Sequence, residues 1–134
     1  MRGSYLLITR VKKDTKIKIG KLGRIKFLKG HYIYVGSAIG KKINIENRIK
    51  RHLNRKKKKK WHIDYLLENS NTLIDSIVIF PSKRKMECEI SKAIEKNADF
   101  SIEKFGCSDY KCKSHLHHFK NKKEIMEVLR KIKV

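Results

Sequence analysis

The sequence predicts an α+β fold, a small and mostly antiparallel β-sheet flanked by helices. Three patterns carry that expectation. Residues 4–38 read as short β-rich runs parted by turns, the apolar residues recur at helical spacing from Asn44 onward, and a further β-rich run at 73–81 stands between helical patterns.

In order, "SYLLITRV" (4–11) follows Gly3 and reads as a strand. "TKIKIG" and "RIKFLKG" alternate apolar with basic residues around "KLG", which predicts a β-hairpin with one wet, positive face. "HYIYVGSA" (31–38) is a fourth strand, with Gly36 marking a tight exit from it. The next segment is a helix capped by Asn44, with Glu46 in its first turn and Ile45, Ile49, His52 and Leu53 on one face; Lys56 to Lys60 end it. "WHIDYLLEN" is a second, short helix, and "LIDSIVIFP" a buried strand stopped by Pro81. "KMECEISKAIEKN" reads as a helix with Cys88, Ile90, Ala93 and Ile94 inward. "FGCSDYKCKSHLHHF" has turn chemistry, fixed by Ser108 and Asp109, that leads into a short terminal strand. "NKKEIMEVLRKIKV" closes the chain as an amphipathic helix capped by Asn121. No internal repeat or linker interrupts this order, so residues 1–134 are expected to form one domain.

Thirty-five Lys and Arg face thirteen Asp and Glu, a net charge of +22. Such an excess strains a compact chain by self-repulsion, and a polyanionic partner is the simplest reason to tolerate it. Nucleic acid is the first expectation and an anionic membrane the second. A membrane partner is disfavoured, because the longest apolar runs are far too short to span a bilayer and residues 1–20 lack signal-peptide character. Three cysteines, an odd number, do not make a disulfide framework, so a reducing, cytoplasmic setting is expected. The weight of Lys, Ile and Glu suits a heat-adapted source, as AT-rich coding also would.

Residues 41–60 hold eleven Lys and Arg against one acid, Glu46. Charge runs commonly mark only a solvated helix end, but this one adds to an already extreme total. Lys41, Lys42, Arg51, Arg55, Lys56, Lys57, Lys58, Lys59 and Lys60 are therefore the candidate nucleic-acid contacts. Tyr32, Tyr34, Trp61 and Tyr65 flank the run as stacking candidates, with core packing the more ordinary role for such residues.

Phosphodiester hydrolysis needs a water that loses a proton, stabilisation of phosphoryl charge, and neutralisation of the leaving oxygen. Arg48 and His52 stand at i and i+4, on one helix face, shortly after the strand that carries Tyr34. Carboxylates are scarce, which narrows the metal candidates to Asp64, Glu87, Glu89 and Glu95. Cys107, Cys112 and His115 raise a zinc reading, with Cys88, His117 or His118 as the fourth ligand; the spacing matches no common structural set, which weighs against zinc.

"GSY" at 3–5 and "YVG" at 34–36 resemble the two halves of the GIY-YIG nuclease signature, and "NRIKRHL" (47–53) is similar to the helix that follows in that superfamily. "GKLG", "YVGSA", "WHIDYLL", "EC" and "SHL" resemble the small branch of the superfamily found in archaea and some bacteria, over residues 3 to about 119. The resemblance implies a DNA endonuclease that uses one divalent cation, Mg²⁺ or Mn²⁺. It implies that Tyr34 and Tyr5 orient or deprotonate the attacking water, Arg48 stabilises phosphoryl charge, and His52 holds a phosphate oxygen. Glu87 would bind the metal, with Glu89 as its rival, and Gly3 and Gly36 would allow close backbone approach. His62 is an accessory candidate, with packing or capping as its alternative. The chain departs from the pattern at Ser4, where an aliphatic residue is usual, and at Ser37 and Ala38, where a lysine often stands. A hairpin is also inserted between the two motifs. Without a specificity domain, selectivity would come from substrate shape, a homo-oligomer or a partner protein. The competing expectation is a non-catalytic DNA- or RNA-binding module that keeps the nuclease fold.

Overall fold

A computed structural model of the chain describes residues 1–40, 43–107 and 112–132. Lys41, Lys42, Ser108 and Asp109 lie outside the described residues. The strands are β1 (Gly3–Val11), β2 (Thr15–Lys18), β3 (Arg24–Phe27), β4 (Gly30–Ala38), β5 (Thr72–Pro81), β6 (Phe100–Ser101) and β7 (Leu116–Phe119). The helices are α1 (Ile45–Leu53), α2 (His62–Glu68), α3 (Glu87–Glu95) and α4 (Lys122–Lys131), and a 3-10 turn spans Gly20–Leu22. None of the described helices is long and apolar enough to cross a membrane.

The expected α+β architecture is present, with five strands in the order β5-β1-β4-β7-β6 and every neighbouring pair antiparallel. The hairpin β2-β3 stands apart as a two-stranded sheet, with Ile17 and Phe27 buried and Lys16, Lys18, Arg24 and Lys26 in water. Alternation along the strands sends their side chains to two cores. Tyr5, Leu7, Val11, Tyr32 and Tyr34 face one way, onto Ile45 of α1, Ile63 and Leu66 of α2, and the hairpin. Leu6, Ile8, Ile33 and Val35 face the other way, onto Ile90 and Ile94 of α3 and Ile125 and Val128 of α4. The sheet is thus covered on both faces.

Both predicted helix caps form. Asn44 accepts from the Asn47 backbone N–H at 2.8 Å, and Asn121 from that of Glu124 at 3.0 Å. Four expectations need correction. The 73–81 run is not a buried strand but the sheet edge, half-exposed along most of its length, because β1 covers only one of its sides. Gly36 does not mark an exit, since β4 continues through it to Ala38. Leu53, the last residue of α1, points to solvent and is 56% exposed. Tyr32 is fully buried, with its hydroxyl donating to the Leu28 carbonyl, so it offers no stacking face.

Candidate active site

Antiparallel pairing of β1 with β4 sets Tyr5 opposite Gly36 and Leu7 opposite Tyr34, which brings both tyrosines to one face at the same end of the sheet. The glycine is needed for space, because a Cβ at Gly36 would stand 2.5 Å from Cζ of Tyr5. The Tyr5 ring lies across the Gly36 backbone. At Gly3, the left-handed backbone (φ 153°) and the closeness of the Phe80 carbonyl exclude a side chain.

Helix α1 then lays His52 over the pair. Its Nε2 lies 2.6 Å from the Tyr5 hydroxyl, and its ring centroid is 6.1 Å from that of Tyr34. His52 is buried, and burial pushes its pKa down to about 4; Asp64 opposes this, while Lys57, Arg51 and Arg48 reinforce it. The imidazole is therefore neutral near pH 7. Burial raises the pKa of Tyr5 well above the ordinary phenol value, against the opposing pull of Arg48. Burial likewise raises Tyr34, again with Arg48 acting in the opposite direction. Deprotonation of water by a resident phenolate would need the nearby cations to prevail, but desolvation outweighs them and both phenols are neutral in the resting protein.

Arg48, one turn before His52, is half-buried, and its guanidinium carbon lies 4.2 Å from the centroid of the Trp61 ring. Glu87 opens α3 and arrives from the opposite layer. Its charge raises both Tyr5 and Tyr34, so it stands within electrostatic reach of the two phenols. Among the described residues its carboxylate makes no ion pair, whereas Glu89 is committed to Arg84 at 2.7 Å. Tyr5, Tyr34 and His52 thus meet at one end of the sheet, with Arg48 one helical turn from His52 and Glu87 within electrostatic reach of the two phenols.

The model of the DUF123 family, described as a domain of unknown function, matches residues 4–133. The chain belongs to the DUF123 family. No curated protein and no solved structure matches it.

The remaining predicted residues of this DUF123 chain fall into two groups. Arg51 makes two 2.8 Å bonds to the fully buried Asp64 and another to the Lys58 carbonyl. Arg55 donates to the Thr72 carbonyl at 2.7 Å, Lys57 to the carbonyls of His52 and Asn54, and Lys59 to Glu68. These four brace α1, α2 and β5. Lys56, Lys58 and Lys60 are exposed, with no side-chain partner among the described residues. His62 accepts from the Gly106 N–H at 2.9 Å, and a Cβ at Gly106 would stand 3.3 Å from the Tyr34 ring. It therefore acts as a brace behind Tyr34.

Two partners were not anticipated from the sequence. Asp64 raised interest as a carboxylate, yet it accepts from Arg51 and from the backbone N–H groups of Lys60 and Trp61. Burial raises its pKa, but these bonds outweigh burial and hold it below the usual carboxylate value. Trp61 was read as a stacking candidate, yet its ring already carries Arg48 and Arg51, each 4.2 Å from its centroid. An acid three residues after Trp61, placed to accept from that residue's backbone N–H at the helix entry, is the signal that points to the first of these.

Proposed function

We propose that this chain is a metal-dependent DNA endonuclease of the GIY-YIG type. The observation that carries the reading is the meeting of two tyrosines and a histidine, with an arginine and a glutamate within electrostatic reach of both phenols, near exposed lysines. That set supplies a proton path, a fixed cation and a metal-binding carboxylate, which are the parts phosphodiester hydrolysis requires.

Glu87 suits a hard cation. It offers oxygen from a half-exposed side chain with no competing ion pair among the described residues. Mg²⁺ and Mn²⁺ are bound by one or two carboxylates and keep several waters, which a single half-exposed glutamate permits. Such an ion, when bound, supplies neutralisation of charge on the phosphoryl and leaving oxygens.

The chain's own groups divide the remaining work. Tyr34, the more exposed phenol, orients the attacking water through its hydroxyl. The Tyr5 hydroxyl accepts a proton from that water as its own passes to the neutral His52 Nε2, 2.6 Å away. An incoming phosphate raises the basicity of His52, because an anion favours the charged imidazole. Arg48, steadied on Trp61, stabilises the charge that grows on the phosphoryl oxygens.

The test is a cleavage panel of duplex, flap, junction and single-stranded DNA plus duplex RNA, with Mg²⁺ or Mn²⁺, comparing wild type with Arg48→Ala and Glu87→Ala. The expected outcome is nicking of DNA, with a preference for distorted substrates, that each substitution lowers by about 10²-fold or more while affinity largely survives. Equal background cleavage by all three proteins would leave a nucleic-acid-binding module in place of an enzyme.

A further inference from the structure

Near the tyrosine cluster, around Gly106, lies a second group of reactive side chains. Cys88 from the first turn of α3, Cys112 from the loop before β7 and His115 just ahead of that strand bring their ligand atoms within 4.8 Å of one another, and Cys107 joins the group through Cys112. Cys112 Sγ is joined to Cys88 Sγ as a disulfide, and it also lies 3.8 Å from Cys107 Sγ and 2.8 Å from His115 Nε2. Cys88 Sγ is 3.7 Å from the same imidazole nitrogen. Cys112 and His115 are buried, Cys88 and Cys107 half-buried.

We propose that in the reduced chain these four side chains form a structural zinc site of the Cys₃His kind. A disulfide needs two sulfurs, and here an imidazole nitrogen faces both of them while a third sulfur stands 3.8 Å from one. The distances fit the ion. With zinc–sulfur bonds of about 2.3 Å and a zinc–nitrogen bond of about 2.0 Å, a tetrahedral site sets sulfurs about 3.8 Å apart and sulfur about 3.5 Å from nitrogen. The Cys107–Cys112 and Cys88–His115 separations, 3.8 and 3.7 Å, are already close to those edges. Binding requires the Cys88–Cys112 pair to be reduced by a thiol reductant, its sulfurs to part to the same edge length, the His115–Cys112 contact to lengthen, and Cys107 to turn in toward Cys88 and His115. The three thiols lose their protons as the ion is bound, leaving a site of charge −1 in a chain of net charge +22. Four protein ligands close the coordination sphere, as in a structural site.

The sequence spacing alone gave zinc little weight, because only Cys107-x₄-Cys112-x₂-His115 is local. The fold supplies the fourth ligand from α3. The centre would tie the start of that helix, where Glu87 stands next to Cys88, to the loop at Gly106, where a Cβ would stand 3.3 Å from the Tyr34 ring and 3.1 Å from the Cβ of His115. It stands on its own ligands, whether or not the chain cleaves DNA.

The experiment uses the full chain, expressed with added zinc and purified without oxygen, for metal analysis, thiol titration in denaturant with chelator, and replacement of zinc by Co²⁺. The expected result is one zinc per chain, all three cysteines titrating as thiols, and the intense visible bands of tetrahedral cobalt thiolate. Cys107→Ser, which leaves the Cys88–Cys112 pair intact, should weaken metal binding at least tenfold. A single titratable thiol, three thiols without metal, or unchanged zinc affinity in Cys107→Ser would each overturn the site.

Discussion

His52 is the residue on which the candidate site and the stability of the fold both bear. It is 2% exposed, lies among Arg48, Arg51 and Lys57, and keeps a neutral ring because water is excluded from it. An unfolded histidine titrates near 6.5, whereas the folded one titrates at about 4. The folded state therefore binds fewer protons across that interval, and its stability falls as pH falls. The contribution is fully present above about pH 6.5 and declines by about 1.4 kcal/mol per unit as pH drops toward the folded value. His117, buried between Ser91 and Ser101, is held down to about 4 in the same way and adds a similar slope. Urea unfolding at several pH values should show stability falling between pH 6.5 and 4.5, with a clearly shallower fall in His52→Gln. Identical slopes would mean that the imidazole is not held neutral by the fold.

Residue identity was the most legible part of this site, and residue environment the least. The sequence offered Tyr5, Tyr34, Arg48, His52 and Glu87 as candidates, and the fold brings Tyr5, Tyr34 and His52 into one cluster. Nothing in it could say that burial would win over the surrounding cations and keep both phenols neutral, because desolvation depends on what covers a side chain. In the same way, Gly36 reads as a turn residue from its neighbours alone. Only the register that sets it opposite Tyr5 reveals that the missing side chain leaves room for a ring.

Among the elements, α1 and α2 are joined by a charge pair where an apolar contact would be usual. Asp64 is fully buried and accepts from both ends of the Arg51 guanidinium and from two backbone N–H groups, so its carboxylate organises the entry to α2. Removing one partner of a buried pair leaves the other groups without partners, which costs far more than losing a surface ion pair. Asp64→Ala should lower the unfolding free energy by about 3 kcal/mol or more in a denaturant titration. A loss below about 1 kcal/mol would place the pair in the class of surface ion pairs. Element boundaries followed the sequence where the signal was local, as at the Asn44 and Asn121 caps. They escaped it where the cause was distant. The two-residue β6 exists only because β7 offers it an edge, and the exposure of β5 follows from having a neighbour on one side only. The meeting of Cys88 with Cys112 and His115 likewise depends on how α3 docks.

For the whole molecule, the net charge of +22 frames the last prediction, which bears on how DNA would be held. Each phosphate neutralised by a lysine or arginine releases condensed counterions, so log K should fall linearly with log salt, by about 0.9 per contact on duplex DNA. The charge does not all serve that end. Arg51, Arg55, Lys57 and Lys59 are engaged with carbonyls and carboxylates of the fold, whereas Lys56, Lys58 and Lys60 point into water beside the α1–α2 junction that carries Arg48 and Trp61. Replacing those three lysines with alanine should therefore reduce the salt slope by about 2 to 3 and weaken duplex binding at low salt, with little change in thermal stability. Fluorescence anisotropy of a labelled duplex across a salt series measures the slope directly. Substituting Lys16, Lys18 and Lys26 on the hairpin, equal in charge and equally exposed, is the control that separates a local track from diffuse attraction. If both triple variants lose the same slope, the polyanion is held by the overall field of the protein, and the run after α1 has no special part in binding.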